Sequence, residues 1–337
     1  MRAVTLDYEH RTLDARNVPE PSGSLAPKQV LFRIHAAGVC GTDRELAHFN
    51  FGYPPAGDPF MILGHEAAGE VVAVGSAVGD VRPGDCVAPM IRRACSPPCD
   101  TCAHGRRDFC LTGRYTERGI FGAHGYFTEY ATDSEEDLYV IPADRAEFAV
   151  LVEPLSVVEK AVGRALNVHP WNPETALVIG AGTIGLLAGL VLHARGLKVT
   201  LESLEPAKGQ RAKLVESAGL DYTNRFEGTA DIIIEAAGSA DAAMAGIARL
   251  RQMGVLIILG AKHGSVEFPF LQMIVGNQVV LGSVNASPES ARSAVEHLRR
   301  FDRAILDAMI ERVPFDAFRT SILNPAAQRP KIVHMLS

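Results

Sequence analysis

The chain has 337 residues, of which 47% are hydrophobic and 21% charged, with a formal net charge of -6. That length accommodates two domains with ample core, and an acidic balance without long like-charge runs leaves no electrostatic footprint for nucleic acid. Asp7 and Glu9 stand where a secretory leader needs an apolar core, so a cytoplasmic protein is expected. The uncharged stretch from Thr175 to Leu192 is interrupted by Gly180, Gly182, Gly185 and Gly189, which suits a turn and helix rather than a membrane span.

In chain order, short strands are predicted at Gln29–His35, Gly69–Val74 and Asp85–Pro89, separated by turns rich in Gly or Pro, as in a mostly antiparallel domain. Among them lie Gly38-Val39-Cys40-Gly41-Thr42-Asp43 and Gly64-His65-Glu66-Ala67-Ala68-Gly69, and Glu153 follows in LVEPLSVVEKA. Cys, His and Glu are the ligand types of a catalytic zinc that keeps one position open. Sequence spacing does not bring them together by itself, and Cys40 and His65 read equally well as ordinary buried residues.

The segment Cys95-x3-Cys99-x2-Cys102-x7-Cys110 holds four of the six cysteines. In an intracellular protein such a cluster most often binds a metal, and four thiolates close a tetrahedral zinc shell, so this site is expected to be structural. Two disulfides stapling a loop are the alternative.

An apolar run, Ala176–Ile179, enters Gly180-x-Gly182-x-x-Gly185, with Thr183 and Ile184 inside the turn, and apolar residues continue to Ala194. A second run, Lys198–Leu201, ends at Glu202. Strand, glycine turn, helix, strand and acidic residue is the order of a dinucleotide-binding unit, in which the glycines let backbone amides and a helix N-terminus reach a pyrophosphate. Glu202 suits both ribose hydroxyls and repels a 2′-phosphate, and Ser203 follows it instead of Arg, so NAD is expected over NADP. Lys208 and Arg211 lie downstream, where a solvated helix face is the simpler reading. Further apolar runs at Asp231–Ala236, Gly254–Leu259 and Val279–Val284 alternate with helical stretches such as Asp241–Arg251, predicting an α/β unit with a doubly wound parallel sheet.

The Gly64–Val78 string GHE-x2-G-x5-G-x2-V, the four-thiol segment and the glycine turn together resemble the zinc-containing medium-chain dehydrogenase/reductases of the alcohol dehydrogenase superfamily, over essentially the whole chain. More narrowly, GVCGTDRE at 38–45, Arg92-Arg93, TERGI at 116–120, LVEPLSVVEKA at 151–161 and Ser283-Val284-Asn285 resemble the glucose 1-dehydrogenase branch. The resemblance implies a GroES-like, mostly antiparallel β catalytic domain at 1–160 and 291–337 around a Rossmann domain at 161–290. It implies one catalytic zinc on Cys40, His65 and Glu153, with Glu66 as an alternate ligand, and one structural zinc on the thiol quartet. Charge supports that division, because one thiolate, a neutral imidazole and one carboxylate balance Zn²⁺, and adding Glu66 would weaken stabilisation of an alkoxide.

By the same resemblance Thr42 is the proton-relay hydroxyl, and Thr42, Glu117, Glu153 and Asn285 meet the substrate. The implied reaction is oxidation of a pyranose aldose at C1 to the lactone by a homodimer or homotetramer, with a polyol, modified sugar or secondary alcohol as alternatives. The chain departs from the branch at Ile91, Val157 and Val275, where some members carry polar residues, and at Ser96-Pro97-Pro98, where the commonest thiol spacing is one residue shorter. A zinc-free reductase of this superfamily has little use for Cys40, His65 and the thiol segment.

Overall fold

Strand Gln29–Val39 carries the first of two units. Val30, Phe32 and Ile34 point inward at period two, and towards Val39 both faces become buried. In this computed structural model, which describes residues 1–260, 265–325 and 328–336, one compact unit comprises Met1–Glu153, Ser287–Arg299 and Ile310–Ser337. The other comprises Pro154–Ala286 and Arg300–Met309. The divide after Glu153 falls within helix Val152–Val168.

In the first unit Gln29–Val39 pairs antiparallel with Glu66–Val74, Tyr130–Ser134 and Lys331–Met335. Cys86–Pro89 and Leu138–Ile141 extend the sheet at one edge and Ile310–Pro314 extends it at the other. Within this sheet, among the described residues, only the pairing of Ile310–Pro314 with Lys331–Met335 is parallel. Smaller sheets are formed by Thr12–Asn17, Arg2–Asp7 and Phe60–Ile62, and by Arg92–Arg93, Thr116–Arg118 and Gly122–Ala123. Phe32, Leu63, Tyr126 and Phe127 form part of the core beneath them.

The second unit is a six-stranded parallel sheet in the order Asp221–Thr223, Lys198–Glu202, Thr175–Ile179, Ala230–Glu235, Leu250–Ile258 and Val279–Gly282. Numbered along the chain this is 3-2-1-4-5-6, the Rossmann order. The consecutive pairs Leu177-Val178, Ile233-Ile234 and Leu256-Ile257 are completely buried, the pattern of strands covered on both faces. The antiparallel and parallel folds expected from the sequence are both present. Two elements differ in detail. The helix read as Asp241–Arg251 ends at Ala248, because Leu250 already pairs with Ala230. The edge strand Asp221–Thr223 has no apolar run to announce it.

A buried charge network ties the first unit together. Asp133 lies 2.6 Å from Arg93 Nη2, accepts from the Tyr126 hydroxyl and lies 3.2 Å from Arg118 Nη2. Burial opposes ionisation of Asp133, yet Arg118 and Arg93 hold its carboxyl below the ordinary range. Asp133→Asn should therefore cost about 3–5 kcal/mol near neutral pH, measured by urea denaturation. A depressed folded pKa contributes stability above the ordinary Asp value of about 3.9 and loses it as pH falls through the folded value. The gap between variant and unmodified protein should accordingly narrow in acid below about pH 4, and an unchanged gap there would refute the role of the Asp133 charge.

Candidate active site

Cys40 is delivered where Gln29–Val39 ends and is the N-cap of helix Gly41–Ala47. Its Sγ accepts from the Thr42 amide at 3.2 Å, while its own amide donates to Asp43 Oδ2 at 2.8 Å. This reciprocal cap fixes thiol and carboxylate at the start of the helix. His65 enters just before strand Glu66–Val74, with Nε2 2.9 Å from Cys40 Sγ and Nδ1 3.3 Å from Asp43 Oδ1. One ligand atom from each of Cys40, Asp43 and His65 lies within 4.8 Å of the others. Burial opposes a charged imidazole, but Cys40 and Asp43 raise the His65 pKa well above its ordinary value. The carboxylate gathered with this pair is thus Asp43, which was not among the zinc ligands expected from the sequence.

Glu66 points elsewhere. Its carboxylate contacts Nζ of Lys331, which also donates to the Val39 carbonyl at 3.1 Å. Both side chains are almost wholly buried, and the space they share explains Gly38, where a Cβ would sit 2.2 Å from Glu66 Oε2. Burial disfavours the ammonium of Lys331, yet Glu66 and Cys40 push its pKa up. Sequence reasoning missed this lysine. Its only signal was a cation opening the otherwise apolar KIVHM. Glu153 is buried nearby, and desolvation, reinforced by the Glu66 and Glu117 carboxylates, pushes its pKa up to about 7 against the pull of His65 and Lys331.

Glu117 is buried and directly opposite Arg92 across a strand pair. Arg92 Nε reaches Glu117 Oε1 at 2.8 Å, Nη1 donates to the Asp108 carbonyl at 3.2 Å, and the guanidinium lies 3.8 Å from the Tyr115 ring centre. Thr42 is half-buried on the first helical turn. Asn285 belongs to the other unit. It is buried at φ 63, and its Oδ1 accepts from the Ala286 amide at 2.8 Å.

The four sulfurs of Cys95, Cys99, Cys102 and Cys110 lie within 4.8 Å of one another, and all six cysteines are free thiols. The Cys99–Cys110 separation of 3.9 Å matches the edge of about 3.8 Å of a tetrahedron with zinc–sulfur bonds of about 2.3 Å. Hydrogen bonds from the Thr101 hydroxyl and backbone amides bring the Cys99 thiol down to about 5, whereas burial pushes Cys102 up to about 12. The donor chemistry fits zinc here. It also fits at Cys40 and His65, where a thiol and an imidazole adjoin the acids Asp43, Glu66 and Glu153 and the cation Lys331.

In the second unit the turn after Thr175–Ile179 carries Gly180 at φ 113 and Gly182 as the helix N-cap, with Thr183 and Ile184 opening helix Thr183–Ala194. A Cβ on Gly185 would sit 1.8 Å from the Gly180 carbonyl oxygen, so only glycine lets the helix approach so closely. The Gly180 amide donates to the Glu202 carbonyl at 2.8 Å, and the amide of half-buried Ser203 donates to the Thr223 carbonyl at 3.1 Å.

A GroES-like unit with a thiol–imidazole pair and a thiol quartet, together with a Rossmann unit, defines a medium-chain dehydrogenase/reductase. The family model for the alcohol dehydrogenase GroES-like domain matches residues 26–143, and that for the glucose dehydrogenase C-terminus matches 146–328. Glucose 1-dehydrogenase 2 of Vulcanisaeta moutnovskia is 38% identical over 314 residues, covering 89% of this chain and 88% of that protein. Glucose 1-dehydrogenase of Thermoproteus tenax is likewise 38% identical, over 315 residues, with 89% and 88% coverage. The structure of Haloferax mediterranei glucose dehydrogenase in complex with NADP, Zn and gluconolactone superposes with a TM-score of 0.90 at 27% identity, over 100% of this chain and 99% of that one. The chain belongs to the glucose dehydrogenase family.

Removing the cation from a buried ion pair leaves an uncompensated carboxylate. Lys331→Met should cost about 3–5 kcal/mol in chemical denaturation, and adding Glu66→Gln should recover much of the loss. Equal losses in the single and double variants would show that the pairing with Glu66 is not what Lys331 contributes.

Proposed function

We propose that this chain is a zinc- and dinucleotide-dependent oxidoreductase that converts a pyranose aldose, D-glucose or a close epimer, to its lactone at C1. The observation that carries this reading is the set of buried carboxylates Glu66, Glu117 and Glu153, of which Glu153 lies within electrostatic reach of His65, Glu66 and Glu117. A pocket for a plain alcohol gains nothing from such costly groups, whereas a ring bearing many hydroxyls can pair with them. The glucose 1-dehydrogenase relatives and the gluconolactone complex of the Haloferax enzyme support the same substrate class.

Cys40, His65 and Glu153 hold the catalytic zinc in this reading, and Glu66, kept at Lys331, is a reserve ligand. Asp43 orients His65 through Nδ1. Zinc supplies Lewis acidity that lowers the pKa of a substrate hydroxyl, and the dinucleotide accepts hydride. Oxidation removes hydride from C1 and the proton of the anomeric hydroxyl. The Thr42 hydroxyl takes that proton towards solvent. Glu117, steadied by Arg92, and Asn285 orient the sugar hydroxyls. Gly180, Gly182 and Gly185, with Thr183 and Ile184, cradle the pyrophosphate, while Glu202 and Ser203 receive the adenosine ribose and favour NAD over NADP. The enzyme acts in the cytoplasm as a homodimer or homotetramer. A polyol, modified-sugar or secondary-alcohol dehydrogenase is the second reading, favoured by apolar Ile91, Val157 and Val275 where some members are polar.

Elemental analysis after exhaustive dialysis should find about two zinc ions per chain. Cys102→Ser should chiefly lower thermal stability, whereas Cys40→Ala should abolish turnover and leave a folded protein. One tightly held zinc in a stable, active protein would remove one of the two assignments.

With D-glucose and NAD the purified protein should form lactone. Glu117→Ala should lower kcat/KM for the aldose at least about tenfold more than for a small secondary alcohol, the cost of at least one lost charge-assisted hydrogen bond. Absence of aldose oxidation in the unmodified protein would leave the second reading standing.

A further inference from the structure

The acidic residue beside the dinucleotide turn already has a cationic partner. Glu202 closes strand Lys198–Glu202, and its Oε2 contacts Nη1 of Arg249, the C-cap of helix Ala240–Ala248. Strand register explains how an arginine from that helix reaches it. Glu202 pairs with Ile179 across parallel strands, so the two side chains share a face, and a Cβ on Gly246 of the same helix would lie 3.5 Å from Ile179 Cδ1. The pair is accessible to a ligand, with side-chain exposures of 15% for Glu202 and 24% for Arg249. The cations named from the sequence are placed differently. Arg211 donates through Nη1 to the Ala181 carbonyl at 2.9 Å and lies 3.0 Å from Glu205 through Nε, and Lys208 is exposed to solvent.

We propose that Arg249 is a specificity-determining residue for the cofactor: by neutralising Glu202 and offering donors to a 2′-phosphate, it allows NADP to bind at a site whose carboxylate favours NAD. The proposal rests on the dinucleotide reading of the glycine turn. A bare carboxylate at this position would face a 2′-phosphate of nearly two negative charges. The planar guanidinium carries five donors, enough to hold a carboxylate on one edge and phosphate oxygens on another. With NAD, Glu202 accepts from the ribose hydroxyls while Arg249 keeps it oriented. With NADP, Arg249 provides a charge-assisted partner that the phosphate would otherwise lack. The affinity for the phosphorylated cofactor therefore depends on Arg249 far more than the affinity for NAD does.

Binding of NADH and NADPH to the full chain, followed by nucleotide fluorescence, tests this without reference to turnover. Arg249→Gln should raise the Kd for NADPH about tenfold or more and change that for NADH less than about threefold, and Arg249→Lys should restore part of the NADPH affinity. Glu202→Gln should tighten NADPH binding, and Glu202→Gln with Arg249→Gln should lose that gain, which keeps the test open even if one single variant folds poorly. An NADPH-to-NADH affinity ratio that is unmoved, or that shifts towards NADPH in Arg249→Gln, would overturn the proposal. Failure of the unmodified protein to bind either nucleotide would instead overturn the dinucleotide reading beneath it.

Discussion

Charge compensation inside the antiparallel unit is the constraint on which the candidate site depends. Asp43, His65, Glu66 and Glu153 are brought into a region with almost no solvent, where an isolated ionised group is very costly. Lys331 meets part of that demand from the strand beside Gln29–Val39. Because Lys331 touches Glu66 and the carbonyl of Val39, the strand end that presents Cys40 is tied to the carboxylate that follows His65. Geometry and electrostatics are set by the same contact.

The same logic recurs at two other points, with different partners. Arg92 balances Glu117 and at the same time holds the Asp108 carbonyl, two residues from Cys110, so the thiol segment and the proposed sugar carboxylate share one guanidinium. Arg93, Arg118 and Asp133 form a separate network around the Tyr126 hydroxyl. Arginines in this unit thus act as joints between short elements that have little hydrogen-bonded ladder of their own, such as Arg92–Arg93 and Gly122–Ala123.

Much of this was legible in the sequence because local chemistry carried it. Gly180 and Gly185 are demanded by backbone approach, so their spacing announces the turn wherever it sits in the fold. The thiol quartet is closely spaced, and nearby residues converge without help from topology. Residues that depend on distant partners were harder to read. Asp43 helps to cap its own helix, but its second oxygen meets His65 only because Gln29–Val39 and Glu66–Val74 pair with the observed register. Lys331 and Arg249 carry little local signature, since each is defined by a carboxylate on a strand distant in sequence. Strand boundaries slipped where pairing, not hydrophobicity, decides them, as at Leu250.

The contact between Lys331 and the end of Gln29–Val39 spans 292 positions. Residues 154–286, which lie between them, belong entirely to the parallel-sheet unit. On the ribosome, Cys40, Asp43, His65 and Glu66 leave the exit tunnel long before their buried cation has been translated. Strand Lys331–Met335 lies beside Gln29–Val39 in the antiparallel sheet, so the cation that faces Glu66 is made only after all six strands of the Rossmann sheet. The pairing of Glu66 with its cation is thereby a late event in synthesis.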